Sequence, residues 1–129
     1  MDKTAIVIVL IIIVLGVGFF VWQSKSASQN QIEPSPLPDG IVLFYGDGCS
    51  HCQEVEDFIA QNKIEDRVEI TRMEVWYDKN NQATLAMVVK KCGINVNSVG
   101  VPFLYDGNGN CYMGEVDVPN FLKTQAGIE

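Results

Sequence analysis

The stretch IVLFYGDGCSHC, residues 41–52, decides the fold of this 129-residue chain. Its first five residues form a short, continuous apolar run, which is typical of a buried strand. A glycine-containing turn follows, and Cys49 and Cys52 then stand at the start of a helical pattern with one apolar face. The apolar residues of that face are Val55, Phe58 and Ile59. The order strand, turn, cysteine pair and helix predicts an α/β domain.

The rest of the domain, which we place at residues 40–129, continues this alternation. Residues 67–76 alternate in part between apolar and polar and predict a second strand. Asp78 is a suitable cap for a second helix that ends before Gly93. Its predicted buried stripe comprises Leu85, Val88, Val89 and Cys92.

A hairpin and a final helix complete the predicted domain. Residues 101–105 and 110–114 predict the last two strands, joined by a turn at residues 106–109 with the sequence DGNG. Asp117 is the predicted cap of the last helix, with Pro119 in its first turn. The order is therefore β-α-β-α-β-β-α, in a mixed four-stranded sheet with helices on both faces and the first two strands parallel.

Before this domain lie a short tail at residues 1–4 and an apolar segment at residues 5–22. That segment has eighteen residues without charge, which predicts a single transmembrane helix because a span needs roughly 20 apolar residues. A secretory signal peptide is the alternative, with residues 26–28 as a weak cleavage site. We expect a single-pass membrane protein whose C-terminal domain is extracytoplasmic.

Residues 23–39 are polar, with prolines at 34, 36 and 38. Such a segment predicts an extended, semi-rigid linker, and a proline-rich docking motif is the alternative. The whole chain is acidic, with nine Lys and Arg against sixteen Asp and Glu. This balance argues against nucleic acid as a partner, because phosphate binding needs a basic patch.

Two thiols three positions apart at a helix start can form a disulfide. The helix N-terminus favours negative charge, so it stabilises a thiolate on Cys49, and thiolates carry out disulfide exchange. Cys49 is therefore the predicted attacking residue and Cys52 the resolving residue. Ser50 and His51 lie between them and are the predicted tuning residues, since a positive charge on His51 stabilises the thiolate and makes the pair a stronger oxidant.

Other uses of this motif are a structural disulfide, half of a zinc site and haem attachment. Zinc needs a second pair of ligands, and Cys92 and Cys111 do not form a CxxC pair. Haem attachment needs histidine directly after the second cysteine, where this chain has Gln53. We therefore predict no metal and no organic cofactor.

With FYGDGCSHC and Gly100-Val101-Pro102, the chain resembles the thioredoxin-like superfamily, particularly its small glutaredoxin-type members. The resemblance covers residues 41–127 and implies a thioredoxin fold. It also implies that Pro102 is cis and faces the cysteine pair, and that Val101 offers its backbone to an extended substrate. The histidine of CSHC is similar to that of the disulfide-forming oxidoreductases of the bacterial periplasm.

The chain also departs from these families. Thioredoxins carry Trp where this chain has Gly48, and a buried acid where it has Leu43. Only part of the glutathione-binding stretch of glutaredoxins is present, at residues 114–117, which argues against glutathione as a ligand. For the other two cysteines, Cys92 and Cys111, the alternatives are core packing and a second disulfide.

These observations predict a membrane-tethered thiol–disulfide oxidoreductase that acts on protein thiols and disulfides and works in the oxidising direction. It requires a membrane or soluble redox partner to reset the pair. One alternative is a reductant in the same compartment, supplied by a membrane electron carrier. The other is a non-catalytic binding module in which CSHC is only structural.

Overall fold

The computed structural model describes residues 2–24 and 32–128. The chain divides into two units, residues 1–31 and residues 32–129. In the first unit, the described residues form helix α1, Lys3–Ser24. The described residues of the second unit form a four-stranded sheet, three further α-helices and two short 3-10 helices, Ile64–Asp66 and Val96–Ser98.

Helix α1 corrects the prediction for the N-terminal segment. Among the residues that the structure describes, no helix is both long and apolar enough to cross a membrane. The prediction of a transmembrane helix over residues 5–22 is therefore wrong.

The predicted linker is only partly described. Residues 25–31, with the weak cleavage site at 26–28, lie outside the described residues. Beyond them, the backbone N–H of Ser35 donates to the carbonyl of Asn80 at 3.2 Å. The buried hydroxyl of Thr84 donates to the carbonyl of Ser35 at 2.6 Å. Leu37 packs against the core, so the second half of the linker belongs to the domain.

The sheet contains strands β1, Ile41–Tyr45, β2, Ile70–Glu74, β3, Phe103–Tyr105, and β4, Cys111–Met113. Their order is β2-β1-β3-β4, with β1 and β2 parallel and the other two pairs antiparallel. The predicted α/β class and the mixed four-stranded sheet are confirmed. Strand β1 is central and its middle three residues are buried, as its continuous apolar run predicts.

The helices are α2, Ser50–Gln61, α3, Lys79–Lys91, and α4, Gly114–Ala126. Helices α2 and α4 pack on the sheet face that carries Leu43 and Leu104. Helix α3 packs on the opposite face, against Val42, Phe44 and Phe103. Alternate residues of β1 therefore feed two separate cores, because successive side chains of a strand point to opposite faces.

One predicted helix start is confirmed and another is shifted. Helix α3 begins after Asp78, whose carboxylate accepts the N–H groups of Asn80 and Asn81, as the capping pattern predicts. Helix α4 starts at Gly114, three residues before the predicted cap at Asp117. The N–H of Gly114 donates to the carbonyl of Pro102 at 2.9 Å. This hydrogen bond fixes the backbone of Gly114 directly after β4, and helix α4 begins at the same residue.

Candidate functional site: the Cys49–Cys52 disulfide at the start of helix α2

Cys49 and Cys52 lie where β1 leads into α2, and they are joined as a disulfide with their Cα atoms 5.2 Å apart. The turn between strand and helix is closed by a hydrogen bond from the N–H of Cys49 to the carbonyl of Gly46 at 3.1 Å. Gly48 has a φ of 82°, in the left-handed region that favours glycine. The local sequence therefore forces a tight turn that delivers Cys49 to the helix start.

Cys49 caps helix α2 with its sulfur. The backbone N–H of Cys52 donates to Sγ of Cys49 at 3.2 Å. A thiolate on Cys49 would accept the same hydrogen bond more strongly, because a charged acceptor makes the stronger bond. Cys49 is 9% exposed and Cys52 4%, so the predicted attacking residue is the more accessible of the two.

The loop before β3 contains the two further predicted site residues, and it brings Val101 to the disulfide. Sγ of Cys49 lies 3.8 Å from the carbonyl oxygen of Val101. The peptide bond between Val101 and Pro102 is cis, and Pro102 is buried. Strand β3 begins only at Phe103, so the peptide groups of Val101 and Pro102 lie outside the ladder with β1.

The predicted tuning residues occupy the exposed first turn of α2. Nδ1 of His51 lies 3.5 Å from a carboxylate oxygen of Glu115, in the first turn of α4. The two side chains are 60% and 42% exposed. Glu115 is therefore a neighbour of the turn that carries the Cys49–Cys52 disulfide, although the sequence reasoning considered its segment only as a remnant of a glutathione site.

Glu74, the last residue of β2, was missed by the sequence reasoning. Its Oε1 accepts the backbone N–H groups of Trp76 at 2.7 Å and of Asp47 at 3.3 Å. Its Oε2 accepts those of Tyr77 at 2.9 Å and Asp78 at 3.1 Å. Desolvation acts to raise the pKa of Glu74, but these four hydrogen bonds outweigh it and the pKa lies below its usual value.

Trp76 lies against the turn that leads to Cys49. A Cβ atom placed on Gly46 would overlap the indole ring, so only glycine leaves room for the ring in this position. Trp76 is nevertheless 46% exposed. It also lines an apolar groove of about 280 Å³ that extends along α3 to Val101.

A second cavity, of about 510 Å³, opens on the other side of the disulfide. Cys49 and Cys52 line it together with Glu56 and Arg72. The guanidinium of Arg72 binds both carboxylate oxygens of Glu56 at 2.8 Å and one of Glu65 at 2.6 Å. These hydrogen bonds raise the pKa of Arg72, and the hydrogen bond to Glu56 makes the largest contribution. Arg72 therefore keeps its positive charge, and the two carboxylates neutralise it.

Cys92 and Cys111 form a second disulfide, between the C-terminal end of α3 and β4, with Cα atoms 6.1 Å apart. Cys111 pairs with Tyr105 in the sheet, whereas Met113 pairs with Phe103, next to the cis proline. The second disulfide thus lies at the end of the hairpin remote from Cys49. Of the two alternatives for these cysteines, the structure has the disulfide, and it does not bring them to the Cys49–Cys52 pair.

The described residues contain no group of three or more His, Cys, Asp or Glu side chains that could hold a metal ion. The predicted absence of a metal and of a cofactor stays a prediction. One feature of the sequence could have identified Glu74 and Trp76 as site residues. Both lie at the end of the second predicted strand, which is predicted to run parallel to the first, and side chains from neighbouring parallel strands meet at that edge of a sheet.

Comparison with known proteins does not add a family. No protein-family model matches the chain, and no curated protein is significantly similar to it.

Proposed function

We propose that the protein is a thioredoxin-like thiol–disulfide oxidoreductase that exchanges disulfides with protein substrates. One observation carries the proposal: the Cys49–Cys52 pair opens helix α2 while Sγ of Cys49 contacts the carbonyl of Val101, beside cis Pro102. The pair thus lies next to the backbone of Val101, which is outside the ladder between β1 and β3 and could bind an extended substrate. The resemblance noted from FYGDGCSHC and Gly100-Val101-Pro102 agrees with this arrangement.

In the oxidising direction, a substrate thiolate attacks Sγ of Cys49 and the Cys49–Cys52 bond breaks. Cys52 leaves as a thiolate, and the substrate is bound through a mixed disulfide with Cys49. A second substrate thiolate then attacks the substrate sulfur of that bond, and Cys49 leaves as a thiolate. The substrate gains a disulfide and the pair gains two electrons, which a redox partner carrying a disulfide must accept.

The capping hydrogen bond supports this direction. The N–H of Cys52 and the N-terminus of α2 both stabilise a thiolate on Cys49, and stabilising the reduced form makes the pair a stronger oxidant. A second disulfide between Cys92 and Cys111 supports an oxidising compartment, where structural disulfides persist.

One observation favours the reverse direction, in which the protein is a reductant. The carboxylate of Glu115 lies 3.5 Å from Nδ1 of His51 and places a negative charge in this region. A weaker positive field stabilises the Cys49 thiolate less, and the pair then becomes less oxidising. In this direction, the Cys49 thiolate attacks a substrate disulfide and Cys52 resolves the mixed disulfide.

Equilibration in glutathione buffers separates the two directions. A midpoint potential near −120 mV, roughly that of strong bacterial oxidants, identifies a disulfide donor. A midpoint near −270 mV, roughly that of thioredoxin, identifies a reductant. A Cys49 that never exchanges would leave only the non-catalytic binding module.

A further inference from the structure

The carboxylate of Glu74 joins two loops that flank the redox pair. One is the turn at residues 46–49, which Glu74 binds through the N–H of Asp47. The other is the loop at residues 75–78, which it binds through three successive N–H groups. Neither the capping of α3 nor the pairing of β1 with β2 requires a link between these two loops. The four N–H groups that Glu74 accepts therefore do more than secondary structure alone requires.

Only a carboxylate satisfies all four donors. Each oxygen of Glu74 accepts two N–H groups, so both positions must be acceptors. A glutamine places an NH₂ group at one of them, where it faces two N–H groups that it cannot accept. Substitution by glutamine therefore breaks at least two of the four bonds with almost no change in side-chain volume.

The Glu74 carboxylate with its four N–H donors forms a clamp, and this clamp fixes the backbone N–H of Trp76, whose carbonyl accepts the side-chain N–H of Gln82 at 3.1 Å. Oε1 of Glu74 holds the N–H of Trp76 and the N–H of Asp47 at once, and the indole ring lies over Gly46, directly before Asp47. The same ring lines the apolar groove that ends at Val101. Trp76 therefore stands between the Cys49 turn and the groove.

We infer that Glu74 is a positioning residue that makes the redox pair selective for polypeptides, by holding Trp76 beside the path of the substrate chain. The inference rests on the proposed function, because it assumes that Cys49 exchanges with a substrate bound along Val101. A polypeptide lying across Val101 reaches the indole ring, whereas a small disulfide reaches Cys49 without touching it. Glu74 thus acts on the binding of polypeptides and leaves the sulfur chemistry unchanged.

The test compares two disulfides on the full chain in its reduced form, freed of reductant. One is a synthetic disulfide-bridged peptide with leucine beside its cysteine, and the other is hydroxyethyl disulfide. We expect Glu74→Gln to raise the half-saturating concentration of the peptide about tenfold, with the limiting rate unchanged. The rate with hydroxyethyl disulfide should stay within about twofold of the unsubstituted chain.

The matched control is Glu69→Gln. Glu69 is exposed and precedes the same strand at its other end, so it tests the loss of one negative charge near β2 without the clamp. It should leave both disulfides unaffected. The inference is overturned if Glu74→Gln slows both disulfides equally, if it slows neither, or if Glu69→Gln reproduces its effect.

Gly46→Ala gives an independent approach that leaves Glu74 intact. Its methyl group takes the space of the indole ring, so Trp76 must move while the carboxylate clamp remains. The chain has two tryptophans, and Trp22→Phe leaves Trp76 as the only one. In that background, Gly46→Ala and Glu74→Gln should both shift the tryptophan emission to longer wavelength and raise the half-saturating peptide concentration. A shifted emission with unchanged peptide kinetics would contradict the role of Trp76.

The failure of this inference and that of the proposed function look different. If the unsubstituted reduced chain reacts with neither disulfide, the proposed function fails and the inference fails with it. If the unsubstituted chain reacts with both and Glu74→Gln changes neither reaction, only the inference fails.

Discussion

Sγ of Cys49 lies 3.8 Å from the carbonyl oxygen of Val101, although 52 residues separate the two in the sequence. The antiparallel pairing of β1 with β3 creates this contact, because it places the end of β1 beside the beginning of β3. The sulfur of Cys49 and the backbone that we propose as the substrate-binding segment are thus held together by the central pair of strands.

The two cysteines should behave differently when each is replaced singly. Cys52→Ser leaves Cys49 able to attack and removes the thiol that resolves the mixed disulfide. We expect it to accumulate a covalent complex with a substrate, seen by mass spectrometry under non-reducing conditions. Cys49→Ser should form no such complex, because Cys52 is 4% exposed and lies within the helix. Equal trapping by both variants would contradict the assigned roles.

Glu115 and His51 should shift the redox potential in opposite directions. Glu115→Gln removes a negative charge near the Cys49 thiolate and should make the pair more oxidising. His51→Tyr removes an imidazole that can carry positive charge beside the pair, and it should make the pair more reducing. Both side chains are well exposed, so we expect shifts of only about 10–20 mV. Equilibration in glutathione buffers measures them, and shifts of the same sign would contradict this explanation.

The loop at residues 75–78 should loosen in acid. Backbone hydrogen bonds to the Glu74 carboxylate keep the pKa of this side chain below the ordinary glutamate value, so the folded state favours the charged form. Its contribution to stability is complete above the unfolded pKa of about 4.3 and is lost as the pH falls through the lower, folded pKa.

The tryptophan emission of the Trp22→Phe chain should therefore move to longer wavelength below about pH 4. Glu74→Gln should show the shifted emission at neutral pH and little further change in acid. Asp47 and Asp78 are the other two carboxylates beside this loop, and their substitution by asparagine provides the controls. An acid transition that persists in Glu74→Gln would assign it to another group.

Removal of the second disulfide should lower stability without changing the redox chemistry. Cys92 and Cys111 are separated by 19 positions, and a loop of that size corresponds to about 3 kcal/mol on the chain-entropy scale. We expect the double variant with alanine at both positions to unfold at a lower urea concentration. The potential of the Cys49–Cys52 pair should stay the same, because the two disulfides lie at different ends of the β3–β4 hairpin. A changed potential would show that the two disulfides are coupled.

The features that the sequence predicts correctly are local. The buried strand at residues 41–45, the cap at Asp78 and the turn after Tyr105 each depend on neighbouring residues, and the structure has all three. For the turn, the N–H of Asp106 donates to the carbonyl of Asn110 at 3.1 Å, and Gly107 and Gly109 have positive φ.

The features that sequence reasoning misses are contacts between distant segments. Glu74 reaches Asp47 across 27 residues because β1 and β2 are parallel and Tyr45 lies beside Glu74 in register. Thr84 binds Ser35 across 49 residues and attaches a segment that composition alone marks as a linker. Neither contact leaves a periodic pattern, so each becomes visible only when the strand register and helix placement are known.

The most direct test of the central claim is a redox titration of the full chain, with alkylation and mass readout of each cysteine. If the pair at residues 49 and 52 is a redox-active disulfide, it reduces reversibly at a defined potential, while Cys92 and Cys111 stay bridged in the same buffers. Structural disulfides generally have potentials below roughly −300 mV, which places them outside the range of glutathione. If Cys49 and Cys52 resist reduction as strongly as the second pair, or if Cys49 fails to exchange once reduced, the protein is not an oxidoreductase.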